Sequence, residues 1–506
     1  MRWSAACLFA FVLIAVRVSS AEPAERLNPA GIDGAILLVG DGAVADAFKK
    51  QFVELAGGEK ARLVILPSDK EIQGDKDGEK LEAAWKAFKP ASVAVLRGIN
   101  PKLPAALKDA TGIWFGDSPT AAGMTPLAEC LQRGGVIAAP GAMAERMGCA
   151  YGYRIADNKD FTHFLPNVLI GASPKFEFRL VPGLPTVAIT IDPGTALLVK
   201  GRDLRVFGEG KVVANWQAGK DRPAKTLELK AGSIADYTTF RKIAIARAGV
   251  PFPPKDAPAP EVPHGSLLIV GGGGMPADVT KKFIDLAGGP DALIVVLPVS
   301  MPDPIPAGMD GRFLRRAGAR NVVVIKARDR AGVEALETLD LLKKAGGIWF
   351  DGGRQWRFVD AYAGTKFEPE LWNVLKRGGV IGGSSAGASI QGDYLCRGDP
   401  LGPIPIMCEG YEKGLGFLPG VGIDQHFTQR KRHPDMTQFV NAYPQMLGIG
   451  LDEATAIVVK GQVAEVMGRG KAHFYDRHKE VRPGQPDYEA FPAGARFDLK
   501  ARKALA

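Results

Sequence analysis

Cysteine and histidine are both scarce in this chain, at five and six among 506 residues. No two cysteines form a C-x-x-C pair, which removes the common structural zinc arrangements. The formal net charge is +9, but lysines and arginines are scattered and form no long run. Nucleic-acid binding, which needs a clustered basic face, is therefore not implied. The N-terminal apolar run Ala5–Val16 is 12 residues long, short of the roughly 20 that span a bilayer. What is present is ordinary for a folded chain: 46% apolar and 24% charged residues, which excludes a wholly disordered, collagenous or membrane-bundle protein. The length gives a prior of about two to four domains. The 62 glycines suit an α/β protein rich in tight strand-to-helix turns.

Residues 1–21 read as a secretory signal. Arg2 supplies the basic end, the apolar run follows, and Ser19 and Ala21 are the small residues before a cleavage after Ala21. The expected location is therefore secreted or periplasmic, with no membrane attachment once the segment is removed. Cys130, Cys149, Cys396 and Cys408 remain, an even number that permits two disulfides in an exported protein. The local pairings are Cys130 with Cys149 and Cys396 with Cys408, and spacing leaves the connectivity open.

The chain repeats itself. GAILLVG at 34–40 matches GSLLIVG at 265–271, and FKKQFVELAGG at 48–58 matches TKKFIDLAGG at 280–289. LVILP at 63–67 matches IVVLP at 294–298, and GIWF occurs at 112–115 and 347–350. RGGVI occurs at 133–137 and 377–381, and ALLVKG at 196–201 matches AIVVKG at 456–461. Self-similar blocks kept in one order indicate duplication. Between the halves, residues 251–263 (PFPPKDAPAPEVP) hold six prolines and read as an extended linker. Each half alternates short apolar runs, glycine turns and amphipathic stretches, which predicts parallel strands covered by helices. The expected fold is α/β, two tandem doubly wound domains over 34–250 and 264–477, with 478–506 as a C-terminal tail.

Residues 382–389 read GGSSAGAS, directly after the strand Val380-Ile381. Within them G-x-S-x-G centres on Ser385, a pattern suited to a sharp strand-to-helix turn that exposes one hydroxyl. Ser384 is the alternative nucleophile, and Ser389, one turn on, suits packing. The backbone N–H of Ala386 is a natural oxyanion donor at the helix start, and Gly353, in the turn after GIWF, offers a second. Among the histidines His426 is the best base, ending a short strand, with His433 behind it. Asp452 and Glu453, at a turn between apolar runs, both suit the carboxylate that orients an imidazole. Asp424, His426, His433 and Asp435 show no convincing metal spacing, and neither metal nor cofactor is expected. The glycine run 271–274 lacks a dinucleotide fingerprint and reads as a turn before Pro276.

GGSSAGA at 382–388, DQHF-x-x-R-x-R at 424–432 and GIGLDEATAI at 448–457 together resemble the cyanophycinase family of serine peptidases, the S51 type. The resemblance covers residues 264 to about 475. It implies a flavodoxin-like α/β domain related to class I glutamine-amidotransferase domains. It further implies Ser385 as nucleophile, His426 as base and Glu453 as orienting acid, with Gln355, Asp424, Gln425, Arg430 and Arg432 shaping the substrate pocket. Cyanophycinases cut β-aspartyl-arginine units from a polyaspartate–arginine polymer, and close relatives are aspartyl dipeptidases. The chain departs from that pattern at Arg354, where the family has an acid in GGDQ, and at His433-Pro434-Asp435, where relatives continue Gly-Arg-Leu.

The repeat provides an internal comparison. Ser385 falls opposite Gly141, His426 opposite Ser173 and Glu453 opposite Pro193, while Asp452 keeps its counterpart in Asp192. The joint loss predicts an inactive first half and a structural role for Asp452. The function expected is a secreted serine hydrolase of peptides or isopeptides containing aspartyl residues, arranged as a homodimer or as an internal pseudo-dimer. The alternative is a non-catalytic binding or scaffold protein on the same fold, or an aspartyl dipeptidase.

Overall fold

A computed structural model describes residues 27–506 apart from 69–70, 73–74, 98–101, 117–123, 149–163, 175, 179 and 181–182. The expected signal segment, Cys149 and His163 lie outside the described residues. In the second half, a nine-stranded sheet runs Val322–Val324, Ile294–Leu297, Gly347–Phe350, Val380–Ser384, Val262–Val270, Thr455–Gly461, Val463–Gly468, Arg496–Asp498 and Lys503–Leu505. The first five strands are parallel and the remainder antiparallel. Successive residues of one strand serve opposite layers. Val295, Leu297, Ile348 and Phe350 enter one apolar cluster, and Ile294, Val296 and Trp349 enter another. A strand buried on both faces has no polar side to alternate, so its sequence is a continuous apolar run such as IVVL.

The helix Ala277–Leu286 covers one face through Val279, Phe283 and Ile284. The opposite face carries the helices Leu336–Lys344 and Phe367–Lys376. It also packs against a five-stranded sheet containing Leu418–Gln425 and the parallel strand Leu447–Leu451. The first half has the same arrangement of eight strands, with Ala35–Val39 between Val136–Pro140 and Thr195–Lys200. Local details recur as well. Ser385 N–H donates to Val270 O at 3.0 Å, and Gly141 N–H donates to Val39 O at 2.9 Å.

Three features differ from the sequence reading. Residues 489–505 are not a tail: Glu489–Pro492 pairs with Lys471–Asp476, and Arg496–Asp498 pairs with Val463–Gly468. These strands cover the edge of each sheet, which an unpaired ladder would otherwise expose. The proline-rich segment lies against the second half, where Gln445 Nε2 donates to Pro254 O at 2.9 Å. Cys396 and Cys408 are free thiols. Cys396 is buried in the cluster around Tyr394 and Phe439, whereas Cys408 packs against the main core, and burial pushes both thiols up, Cys408 to about 12. Cys130 is buried, and its suggested partner lies outside the described residues.

The two halves meet across a seam of opposite charges. Arg202 and Lys242 pair with Asp360, Arg222 with Glu412, and Lys225 and Arg247 with Glu409. Every cation comes from the first half and every one of these carboxylates from the second. Pairing offsets the cost of holding these partly buried charges away from water.

Candidate active site

Three neighbouring parallel strands set out the site. Gly347–Phe350, Val380–Ser384 and Val262–Val270 end side by side, so the turns that follow them, 351–353, 385 and 271–274, lie in a row. Sites gather at such carboxyl ends because the loops there are free to vary while the sheet holds them still. Ser385 occupies the tightest turn, with φ 56° and ψ −113°. Residues other than glycine avoid this region. Gly141, its counterpart, has φ 51° and ψ −130°. The first half thus keeps the turn and relieves the strain with glycine, while the second half keeps a serine there.

His426 follows the strand Leu418–Gln425, and Glu453 follows Leu447–Leu451. His426 N–H donates to Gly271 O at 2.7 Å, which fastens the end of the smaller sheet to that of the larger. Ser385 Oγ lies 2.9 Å from His426 Nε2, and His426 Nδ1 lies 2.6 Å from Glu453 Oε1. Residues separated by 41 and 27 positions are therefore joined in one hydrogen-bonded series. Burial pulls the His426 pKa below its ordinary value; Arg430 and Arg432 add to this, and Glu453 opposes it. A neutral imidazole held between a hydroxyl and a carboxylate is arranged to accept a proton from the first and share the resulting charge with the second.

The other candidates separate cleanly. Asp452 does not touch His426. It accepts from Thr428 N–H, Lys471 N–H and His473 Nε2, and its counterpart Asp192 accepts from Lys211 N–H in the same way. His433 bonds Tyr475 OH at 2.7 Å. Ser389 is fully buried with its hydroxyl unbonded, as packing predicts. On the oxyanion side, Ala386 N–H opens the short helix and has no acceptor among the described residues. Gly352 lies closer to Ser385 than Gly353 does, since a methyl group on Gly352 would sit 3.4 Å from Ser385 Cβ. Neither Gly352 nor Gly353 N–H has a backbone acceptor among the described residues.

Of the pocket residues implied by the resemblance, four are buried and one is exposed. Asp424 is fully buried, accepting from Arg397 at 2.8 and 2.9 Å and from Arg432 at 2.9 Å. Arg432 also donates to Gln425 O, so its guanidinium is committed to the framework. Gln355 is buried with Nε2 on Cys396 O, and Gln425 is buried too. The side chains of Asp424, Arg432 and Gln355 are committed to protein partners, whereas Gln425 Oε1 is buried without one. Arg430 alone is exposed, with no ion pair among the described residues. Arg354, the departure from the family pattern, donates to Asp399 O.

Four residues here have no site role in the sequence reading. Arg397 completes the Asp424 clamp. The Ser300 hydroxyl donates to Gly352 O at 2.7 Å and holds the 351–353 turn. A methyl group on Gly272 would overlap the His426 ring, and one on Gly273 would overlap the Glu453 carboxyl. Both glycines have positive φ, 96° and 70°. The glycine run is therefore the floor beneath the imidazole and carboxylate. Its signal in the sequence is its place after the first strand of the half and the presence of Asp41 opposite Gly272. Gly273→Ala is expected to displace Glu453 and lower kcat/KM by about 100-fold, the scale of a 1 Å misplacement, with a modest fall in Tm from the positive φ. Steady-state kinetics beside thermal unfolding tests this.

A profile described as peptidase family S51 matches residues 267–467. The cyanophycinase of Geminocystis herdmanii is 31% identical over 239 residues, covering 44% of this chain and 87% of its own. The cyanophycinase of Trichormus variabilis is 29% identical, covering 45% and 78%. A crystal structure of a peptidase from an acI-B1 Actinobacterium aligns with 46% of this chain and 97% of its own at 21% identity and a TM-score of 0.38. The matched stretch contains the serine turn, the histidine strand and the glutamate turn alike, and the chain belongs to peptidase family S51, a peptidase whose substrates are peptides.

Proposed function

We propose that the protein is an exported serine-type hydrolase that cleaves aspartyl and isoaspartyl peptide bonds, of which β-Asp-Arg is the leading case. The observation that carries this reading is the Ser385–His426–Glu453 series, with spacings of 2.9 and 2.6 Å. Ser385 Oγ attacks the amide carbonyl while His426 Nε2 takes its proton. The Ala386 N–H and the N–H groups of the 352–353 turn receive the oxyanion. His426 then protonates the leaving amine, and water, activated by the same imidazole, releases the acyl group from Ser385. Glu453 keeps the imidazole oriented and balances its transient charge. Arg430, exposed beside the histidine, suits a free carboxylate of an aspartyl substrate. The relatives named as cyanophycinases support an aspartate–arginine polymer as one member of this class. The first half, lacking all three side chains, acts as an inactive partner held through the charged seam, an internal counterpart of a dimer.

The test is hydrolysis of β-Asp-Arg and α-Asp-X dipeptides by the wild type and by Ser385→Ala. Preference for β-Asp-Arg with loss in the variant is expected, and equal rates for both proteins overturn the assignment. Labelling by a fluorophosphonate separates an enzyme from a binding protein on the same scaffold.

The acid limb of kcat/KM follows His426, which must be neutral to accept a proton. Burial lowers its pKa, so the midpoint is expected below 6.5 and activity should hold as pH falls from 8 towards 6.5. Arg430→Gln removes a repelling cation and should move that midpoint upward. The pH dependence of fluorophosphonate labelling measures both, and a midpoint above 6.5 in the wild type contradicts the expectation.

A further inference from the structure

The charged seam between the halves encloses a cavity of about 550 Å³, which no step of the proposed reaction uses. Leu27 and Pro29 line it from the first half, and Val299, Trp356 and Ala361 from the second, together with Arg328 and Arg357. Its size falls within the range of small-molecule sites, and apolar walls with a few convergent polar groups are their usual composition. The charges of the lining do not balance. Arg202 is held by Asp236 and Asp360, and Arg330 by Glu334. Asp360 also receives Lys242, and Asp329 caps a helix by accepting from Gly332 N–H. Arg328 and Arg357 are left without a carboxylate partner among the described residues. Their hydrogen bonds go to main-chain carbonyls, Arg328 to Met301 O at 2.7 Å and Pro302 O at 3.3 Å and Arg357 to Ser300 O at 2.9 Å, and the Arg357 guanidinium also lies over the Trp356 ring, 4.9 Å from its centroid. Arg357 feels this: burial lowers its pKa, and Arg328, Arg354 and Arg202 lower it further. Guanidinium groups gathered without counter-charge beside a cavity form a ready receptor for an anion, because bidentate N–H pairs match carboxylate and phosphate oxygens.

We propose that this cavity is a binding site for a small organic anion, a carboxylate or phosphate group gripped by Arg328 and Arg357 with its carbon frame against Trp356 and Leu27. The site needs both halves, since the first supplies Arg202 and the 27–30 segment, which is anchored where Thr238 Oγ1 donates to Pro29 O. It lies behind the oxyanion turn, because Ser300, whose carbonyl Arg357 holds, also holds Gly352. Its lining includes none of Gly352, Gly353, Ser385, Ala386 and His426, so its ligand meets residues other than those around the serine.

The experiment uses the full chain carrying Ser385→Ala, so that turnover plays no part and failure of the catalytic reading leaves this test intact. Thermal unfolding is followed with rising succinate, with inorganic phosphate, and with sodium chloride at matched ionic strength. A saturable rise in Tm of about 2 °C or more with succinate or phosphate, and none with chloride, is expected. The stronger of the two identifies the preferred anion. Arg328→Gln, and separately Arg357→Gln, should weaken the apparent affinity at least tenfold. A cooperative unfolding transition without added anion confirms that both variants fold, each having lost a carbonyl contact together with like-charge repulsion. A rise of equal size in both variants, one equalled by chloride, or no rise with either anion overturns the proposal.

Discussion

Replacing Ser385 with alanine is expected to lower kcat/KM on a β-Asp-Arg dipeptide by about 1,000-fold or more, the scale seen when a working nucleophile of this kind is removed. The protein should stay folded, because the hydroxyl makes one hydrogen bond to His426 and the serine backbone is held by Val270 O. Ser385→Gly should abolish activity to the same extent, yet be at least as stable as the wild type and by up to about 2 kcal/mol more so. The reason is the serine backbone at φ 56° and ψ −113°. Strain of this kind costs about 1–3 kcal/mol, partly offset by the greater freedom of glycine in the unfolded chain. Gly141 already shows the turn in relaxed form. Steady-state kinetics with chemical denaturation decides the matter. A glycine variant clearly less stable than the alanine variant would mean that the turn is not strained, and retained activity in either would remove Ser385 from the mechanism.

The largest stability effect is expected at Asp424. Asp424→Asn should cost about 3–5 kcal/mol, because it withdraws the carboxylate shared by two buried guanidinium groups. Arg397 and Arg432 are 3% and 5% exposed, and Asp424 is wholly buried. Arg397 would keep Asp435 and two carbonyls, and Arg432 would keep Gln425 O. Asp435→Asn is the control: its side chain is 40% exposed, so its loss should cost under about 1 kcal/mol. Unfolding in urea measures both. Activity should fall in the first variant as well, since Gln425 N–H donates to Asp424 and His426 is the next residue. Equal stability of the two variants would show that the clamp carries no net stabilisation.

The scaffold was largely written along the chain. Short apolar runs such as IVVL and GIWF sit on strands buried on both faces, and their alternating residues enter opposite clusters. GSSAG turned out to be the tight turn that its small residues permit. Within the stretch read as a tail, residues 489–505 form short edge strands instead, which the sequence hides because three- and four-residue strands carry a weak pattern of their own. Disulfide pairing between Cys396 and Cys408 failed for a related reason: closeness along the chain does not place two side chains in the same cluster.

The choice between Asp452 and Glu453 shows where reading a chain ends. Both acids occupy one turn, and the sequence assigned them roles only through the retained Asp192 and the family likeness. In three dimensions the turn sends Asp452 to the Lys471 strand and Glu453 to His426, a matter of side-chain direction that no spacing encodes. Asp424, Arg432 and Gln355 show the converse. Their types suit a substrate pocket, and only burial and bonding reveal them as a brace. The strands and the sharp serine turn were legible along the chain, because they depend on local propensity and apolar pattern. Tertiary structure alone decided which polar groups face one another, since hydrogen bonds and ion pairs act over a few ångströms between residues brought together from distant parts of the chain.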